Sequence, residues 1–187
     1  MSMPNLVAVV DLELTCDSSG LLPETEIIQI GATITCNSPE SAILAEFSRF
    51  VRPQINPTLT EFCSDLTGIR QADLNSAQVW SEVNQDLMEW LRRYEVEAWC
   101  SWGGYDLEQM EKQCRDWPFP EGCLHFDAKK ALSYSQRMKG RVGQKLAMKI
   151  CDVPMQGRQH DALDDARNLS ALLPFVFEHK KRPGFPA

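Results

Sequence analysis

Five side chains in this sequence could do chemistry together. Asp11 and Glu13 interrupt an apolar run, Val9-Val10-Asp11-Leu12-Glu13-Leu14. Strand side chains alternate faces, so in extended backbone the two acids share a face, with Val10, Leu12 and Leu14 on the other. Asp106 follows a second apolar run through a Gly103-Gly104 turn, where a helix should begin. Asp165 and His160 lie in Gln159-His160-Asp161-Ala162-Leu163-Asp164-Asp165-Ala166-Arg167-Asn168-Leu169. Carboxylates held side by side repel each other and lose hydration, and a bound cation relieves both costs. Oxygen ligands suit hard cations, Mg²⁺ or Mn²⁺, rather than zinc. Two such ions form a clamp for phosphoryl transfer, one activating water and the other stabilising the leaving oxygen. His160 is of the right type to take the proton from that water.

Each piece has a plainer reading when taken alone. Asp11 and Glu13 read as a solvated strand end, Asp106 as a helix N-cap, and His160 as an exposed loop residue. The argument rests on four carboxylates and one His drawn from three distant segments.

The elements that must position these groups are legible in outline. Residues 6–14, 27–35 and 43–51 are strand-like runs with short connectors, as in an antiparallel meander. A short helix is expected over 59–66, stopped at Gly68, and a longer one over 78–93, where Val79, Val83, Leu87 and Leu91 recur at helical spacing. A fourth strand is expected over 96–102 and a helix over 107–117. A short fifth strand opens at His125, and helices follow over 129–138 and 142–150. A last helix starts near Asp161 and should kink or end at Pro174, which lacks a backbone donor. On that helix Ala162, Ala166, Leu169, Leu173 and Val176 form one stripe. Asp165 sits at its edge, facing the protein body, whereas Asp164 points to solvent or caps the helix, and Asp161 is a first-turn acid. Strands followed by alternating helices and strands indicate an α/β fold, a mixed sheet with helices on its faces.

The 187 residues are expected to form a single domain over 1–187, with a core at about 6–175 and a tail at 179–187. The net charge of −7 disfavours coating long nucleic acid by bulk charge. It permits a local site for a nucleic-acid end. Seven of the 19 basic residues, and none of the 26 acidic ones, fall between Ala128 and Cys151. Within that run Arg137, Lys139 and Arg141, around Gly140, are the best candidates for a phosphate path. Trp80, Trp90 and Trp99 read as packing residues, while Trp102 and Tyr105 flank the approach to Asp106. The seven cysteines are scattered without a C-x-x-C pair, which argues against a structural zinc site or a disulfide framework. No run approaches the ~20 apolar residues of a membrane span, and the N-terminus shows no secretory signal. A cytoplasmic protein is expected.

The order and spacing of the acids and His160 resemble those of the DEDDh 3′–5′ exonuclease superfamily, which includes RNase T, oligoribonuclease and polymerase proofreading subunits. Several phrases resemble most the branch that trims histone mRNA and small-RNA 3′ ends: Val10-Asp11-Leu12-Glu13-Leu14-Thr15-Cys16, Glu26-Ile27-Ile28-Gln29-Ile30-Gly31, Phe50-Val51-Arg52-Pro53, Phe62-Cys63-Ser64-Asp65-Leu66-Thr67-Gly68-Ile69 and Gly157-Arg158-Gln159-His160. The resemblance implies an RNase H-like fold with a five-stranded mixed sheet. It implies two divalent ions, Mg²⁺ or Mn²⁺, on Asp11, Glu13, Asp106 and Asp165, and His160 as the group that activates water. It implies that Leu14, Thr15, Leu66 and Thr67 cradle the terminal nucleotide. The substrate so implied is the 3′ end of single-stranded nucleic acid, RNA favoured over DNA, with release of nucleoside 5′-monophosphates. Two other functions compete with it: a DNA proofreading or repair exonuclease, and a noncatalytic binding module. The intact catalytic set argues against the second. Asp161, directly after His160, departs from the branch's pattern.

Overall fold

The structure is a computed structural model that describes residues 4–20, 22 and 24–185. Its five-stranded sheet has the order β3-β2-β1-β4-β5. The strands are β1 (Leu6–Leu14), β2 (Ile27–Cys36), β3 (Ile43–Phe50), β4 (Ala98–Ser101) and β5 (Leu124–Asp127). β1, β2 and β3 are the expected antiparallel meander, and β4 and β5 add in parallel on the other side of β1. β1 is therefore central, and Val7 to Val10 are buried without exception, as a strand covered on both faces requires.

Among the described residues seven helices flank the sheet: α1 (Glu61–Thr67), α2 (Gln71–Asn75), α3 (Trp80–Leu91), α4 (Tyr105–Gln113), α5 (Ala128–Ser135), α6 (Gln144–Ile150) and α7 (Ala162–Val176). The alternation of β1 assigns its side chains to two cores. Ala8, Val10 and Leu12 pack with Val83 and Leu87 of α3 and Met110 of α4. Val7 and Val9 pack with Leu132 of α5, Met148 of α6 and Leu169 and Leu172 of α7. Asp11 and Glu13 continue the second face, towards the start of α7.

The differences from expectation have local causes. Thr60 caps α1 through its hydroxyl, and Gly68 ends it in the left-handed conformation at φ 69. The one-turn-plus helix α2 is too short to leave a periodic signal in the sequence. α4 begins two residues earlier and stops at Gln113, well before Pro118, so Asp106 lies inside its first turn rather than at its cap. Pro174 does not stop α7 at once, because the helix runs on to Val176 before it ends. The Ser170 carbonyl that Pro174 leaves without a helical donor instead accepts a hydrogen bond from the Ser41 hydroxyl. The seven cysteines are free thiols. No helix among the described residues is long and apolar enough to cross a membrane.

Candidate active site

The start of α7 is set on β2 by the two residues that pair with the β1 acids. Asp11 lies opposite Gly31 and Glu13 opposite Gln29. A Cβ at Gly31 would stand 2.1 Å from the Ala162 carbonyl carbon, so only glycine lets α7 descend this close. Gln29 accepts from the Ala162 N–H at 3.2 Å and donates to the Asp161 carboxylate at 3.2 Å. Asp161 proves to be the N-cap of α7 rather than a first-turn acid, accepting from the Leu163 and Asp164 N–H groups at 3.1 Å each.

This seating carries Asp165 to the two β1 acids. Asp165 is buried, and its Oδ2 accepts from the His160 N–H at 2.9 Å. Its Oδ1 is fully buried and accepts no hydrogen bond among the described residues. Ligand atoms of Glu13, His160 and Asp165 lie within 4.8 Å of one another. Asp106 reaches the same end of β1 from α4, its Oδ1 accepting from the Leu12 N–H at 3.2 Å. The sheet ends thus bring together all five residues singled out in the sequence.

His160 occupies the left-handed region at φ 62, an uncommon conformation held by the surrounding loop. Asn168, fully buried on α7, exchanges two hydrogen bonds with the Gln156 backbone, at 2.9 and 3.0 Å. The Asp164 carboxylate accepts from the Arg158 N–H at 2.8 Å. Asp164 also pairs with Arg167 at 2.9 Å, and Arg167 in turn holds Glu46 on β3. It is a bolt for the His160 loop, neither the solvent-facing acid nor the cap that the helical wheel suggested.

The electrostatics are those of an acidic cluster that the nearby Arg158 only partly offsets. Burial, then Asp165 and Asp106, push Glu13 up to about 8. Burial, then Asp106 and Glu13, hold Asp11 well above the usual carboxylate range. Burial raises Asp106 to about 6 against hydrogen bonds from its own N–H, the Leu12 N–H and Ser101. Asp165 is raised mainly by burial. Each of these costs falls when a cation shares the oxygens. The orphaned Asp165 oxygen, the crowded carboxylates and the oxygen-dominated donor set all fit divalent cations. Asp11, Glu13, Asp106 and Asp165 are the residues that would hold them, with His160 at the edge.

Asp11, Glu13, His160 and Asp165 line an open cleft of about 310 Å³, together with Trp102, Gln144, Lys145 and Met155, and Asp106 stands behind it, outside the lining. Of the four residues expected to cradle a nucleotide, none lines that cleft itself. Leu14 is half-buried beside it and Leu66 is 37% exposed on α1. The two threonines are buried and bonded within the framework. The Thr15 hydroxyl accepts from the Glu26 N–H, and the Thr67 hydroxyl donates to the Cys63 carbonyl. α1 is nonetheless tied to the end of β1 by the Thr60 hydroxyl, which donates to the Cys16 carbonyl at 2.6 Å. Arg137, Lys139 and Arg141 line a separate hollow.

Three contributors leave little trace in the sequence. Gln29 and Gly31 seat α7, and a polar residue amid Ile27-Ile28-Gln29-Ile30 is their only sequence signal. Arg158 spans from the His160 loop to the end of α1, where it donates to the Asp65 carbonyl at 3.3 Å and its guanidinium fills the space a Gly68 Cβ would need. Its charge is also felt at Glu13. A loop residue has no periodicity to betray this.

The fold and site define a nuclease class, and the exonuclease family model matches residues 8–173. The chain belongs to that family. Among curated relatives, the 3′-5′ exonuclease eri1 of Schizosaccharomyces pombe is 28% identical over 88% of this chain and 65% of its own length. The ERI1 exoribonuclease 2 of Homo sapiens is 28% identical over 88% of this chain and 27% of its own. The chain thus spans less than two thirds of these relatives. Among solved structures, the nuclease domain of 3′hExo, a DEDDh family member bound to rAMP, superposes with a TM-score of 0.80 at 23% identity, covering 95% of this chain and 94% of that one. A 3′-exonuclease described with a histone mRNA stem-loop gives a TM-score of 0.82 at 18% identity, covering 95% and 65%. The five-stranded mixed sheet with flanking helices is the RNase H-like architecture expected.

Proposed function

We propose that this chain hydrolyses phosphodiester bonds from the 3′ end of single-stranded RNA, releasing nucleoside 5′-monophosphates with the help of two divalent ions, Mg²⁺ or Mn²⁺. The observation that supports this reading is the cluster of Glu13, His160 and Asp165, with Asp11 lining the same cleft, Asp106 bonded to the Leu12 N–H beside it, and one buried Asp165 oxygen left for a ligand. When bound, such ions supply positive charge to the phosphoryl oxygens and make water more acidic. His160 takes the proton of the attacking water, its loop held by Asn168, Asp164 and Asp165 so that the imidazole stays beside the carboxylates. Leu14 and Leu66 offer apolar surface to the terminal nucleotide, and Thr15 and Thr67 shape its seat through the backbone. Arg137, Lys139 and Arg141 receive upstream phosphates. The human relative named an exoribonuclease supports RNA over DNA. The scattered free cysteines suit a reducing compartment such as the cytoplasm.

The test uses 5′-labelled RNA and DNA of matched sequence, with wild type and Asp11→Asn, in Mg²⁺, Mn²⁺ or EDTA. The expected result is a ladder shrinking from the 3′ end that requires metal and Asp11, with RNA the better substrate. Preferential digestion of DNA would replace the RNA reading by a proofreading or repair one. Cleavage that persists in Asp11→Asn would overturn the site assignment.

A further inference from the structure

The hollow beyond the catalytic cleft holds an aromatic residue that no packing explains. Tyr134, on α5, is 85% exposed, more than any other large apolar or aromatic residue described. Its hydroxyl makes no hydrogen bond among the described residues. Burying such a ring would be favourable, so a largely exposed one among cations offers a face to a partner.

The ring stands in a hollow of about 430 Å³ lined by Lys130, Arg137, Lys139, Gly140 and Arg141. Among the described residues Lys130, Lys139 and Arg141 form no ion pair. Arg137 is fixed at the rim by its guanidinium, 5.3 Å from the centre of the Phe185 ring. The loop between α5 and α6 is folded back on α5 by the Ser133 hydroxyl, which donates to the Gly140 carbonyl at 3.1 Å.

That loop leads directly into the catalytic cleft. Arg141 lines the hollow and Gly143 lines the cleft. Only Val142 separates them, so their Cα atoms are at most ~8 Å apart. Gln144, next in the chain, donates to the Asp165 carbonyl at 2.8 Å and ties this rim to the helix that carries the catalytic acid. The hollow is therefore tied to the rim of the catalytic cleft.

We infer that this hollow is a subsite for single-stranded nucleic acid upstream of the scissile bond, in which one base stacks on Tyr134 while the surrounding cations hold the adjacent phosphates. An exposed aromatic face between backbone-binding cations is the chemistry that grips single strands without reading sequence. The acidic remainder of the protein directs the strand to this one basic face. A paired base is already stacked and its ring is out of reach, so the subsite favours unpaired 3′ tails. The inference deepens the exonuclease reading and rests on it for the direction of the strand.

The test is a coupling experiment on the whole chain. Single-stranded RNAs carry an abasic residue at successive positions from the 3′ end. kcat/KM is measured in Mg²⁺, and affinity by fluorescence anisotropy in EDTA. Wild type should lose about tenfold in both when the base opposite Tyr134 is missing. Tyr134→Ala should lose a similar factor on the intact strand, chiefly in KM, and no longer distinguish the abasic one. Tyr134→Phe should restore the distinction, because the ring and not the hydroxyl is used. Removing the charge of Lys139 and Arg141 together should flatten the dependence of log affinity on log salt by about 0.7 for each phosphate that is no longer neutralised.

A flat abasic scan in wild type, losses that simply add, or no strand binding at all would overturn the subsite. Coupled binding losses without cleavage of RNA or DNA in either metal would sustain the subsite and refute the exonuclease reading. Cleavage without coupling would do the reverse.

Discussion

Replacing Glu13 with Gln should stabilise the metal-free protein while destroying its activity. Glu13 is buried, and its carboxyl is raised from 4.5 to about 8 by burial and by Asp165 and Asp106. A carboxyl raised on folding gives up stability as pH climbs from its unfolded value to its folded one, because the folded chain then binds more protons than the unfolded chain. The cost is absent below about 4.5 and complete only above about 8. At pH 7 it comes to roughly 3 kcal/mol, which for a chain of this size is about 6–12 °C in Tm. Glu13→Gln keeps the shape and removes the charge, so in EDTA it should gain up to that amount at pH 7 and almost nothing at pH 4.5. Taking the difference between variant and wild type cancels His125, whose lowered pKa adds stability as pH rises through its folded value towards neutrality. Urea denaturation at pH 4.5, 6, 7 and 8 measures it. Adding Mg²⁺ or Mn²⁺ should reverse the ranking, since wild type gains binding energy that the variant lacks. A Glu13→Gln protein less stable than wild type at pH 7 in EDTA, or a difference that does not vary with pH, would refute the reasoning.

His160→Ala should lower kcat by about 10²–10⁴-fold, the usual worth of a positioned general base, while RNA affinity in EDTA stays measurable by anisotropy. Gly31→Ala forces a Cβ into the Ala162 backbone, so urea unfolding should show a loss of about 1–3 kcal/mol, with reduced metal affinity by calorimetry as α7 shifts. Ser41→Ala strips the Ser170 carbonyl of the donor that replaces Pro174, and should cost about 1–3 kcal/mol in the same assay. Pairing it with Pro174→Ala, which restores a helical donor, should recover part of that loss.

How much of this protein is legible in its sequence depends on the range of the interaction concerned. The alternation of β1 assigns Asp11 and Glu13 to one face whatever surrounds them, because it is a property of extended backbone. The stripe on α7 turns Asp165 inward for the same local reason, and Gly68 stops α1 through its own φ. Those periodicities place Asp11, Glu13 and Asp165 and outline the mixed sheet, whereas Asp106 and His160 enter by residue type and by the family resemblance. The folded loop decided that Asp161 would be the cap and Asp164 the bolt: Gln29 reaches Asp161 from β2, while Arg158 and Arg167, on either side of it in the chain, hold Asp164. Tertiary contact decided that α7 would come down on Gly31, that Arg158 would cross to α1, and that one Asp165 oxygen would be sealed away without a donor. The approach of Ala162 to Gly31 and the bonds from Gln29 to Asp161 and from Arg158 to Asp65 join residues far apart in the chain, 132 and 93 positions for the two bonds, so no window of sequence contains both partners. The raised carboxyls follow from the same cause: the amino-acid order supplies the charges, and only the packing of α7 and α4 against the end of β1 removes the water that would have made their closeness cheap.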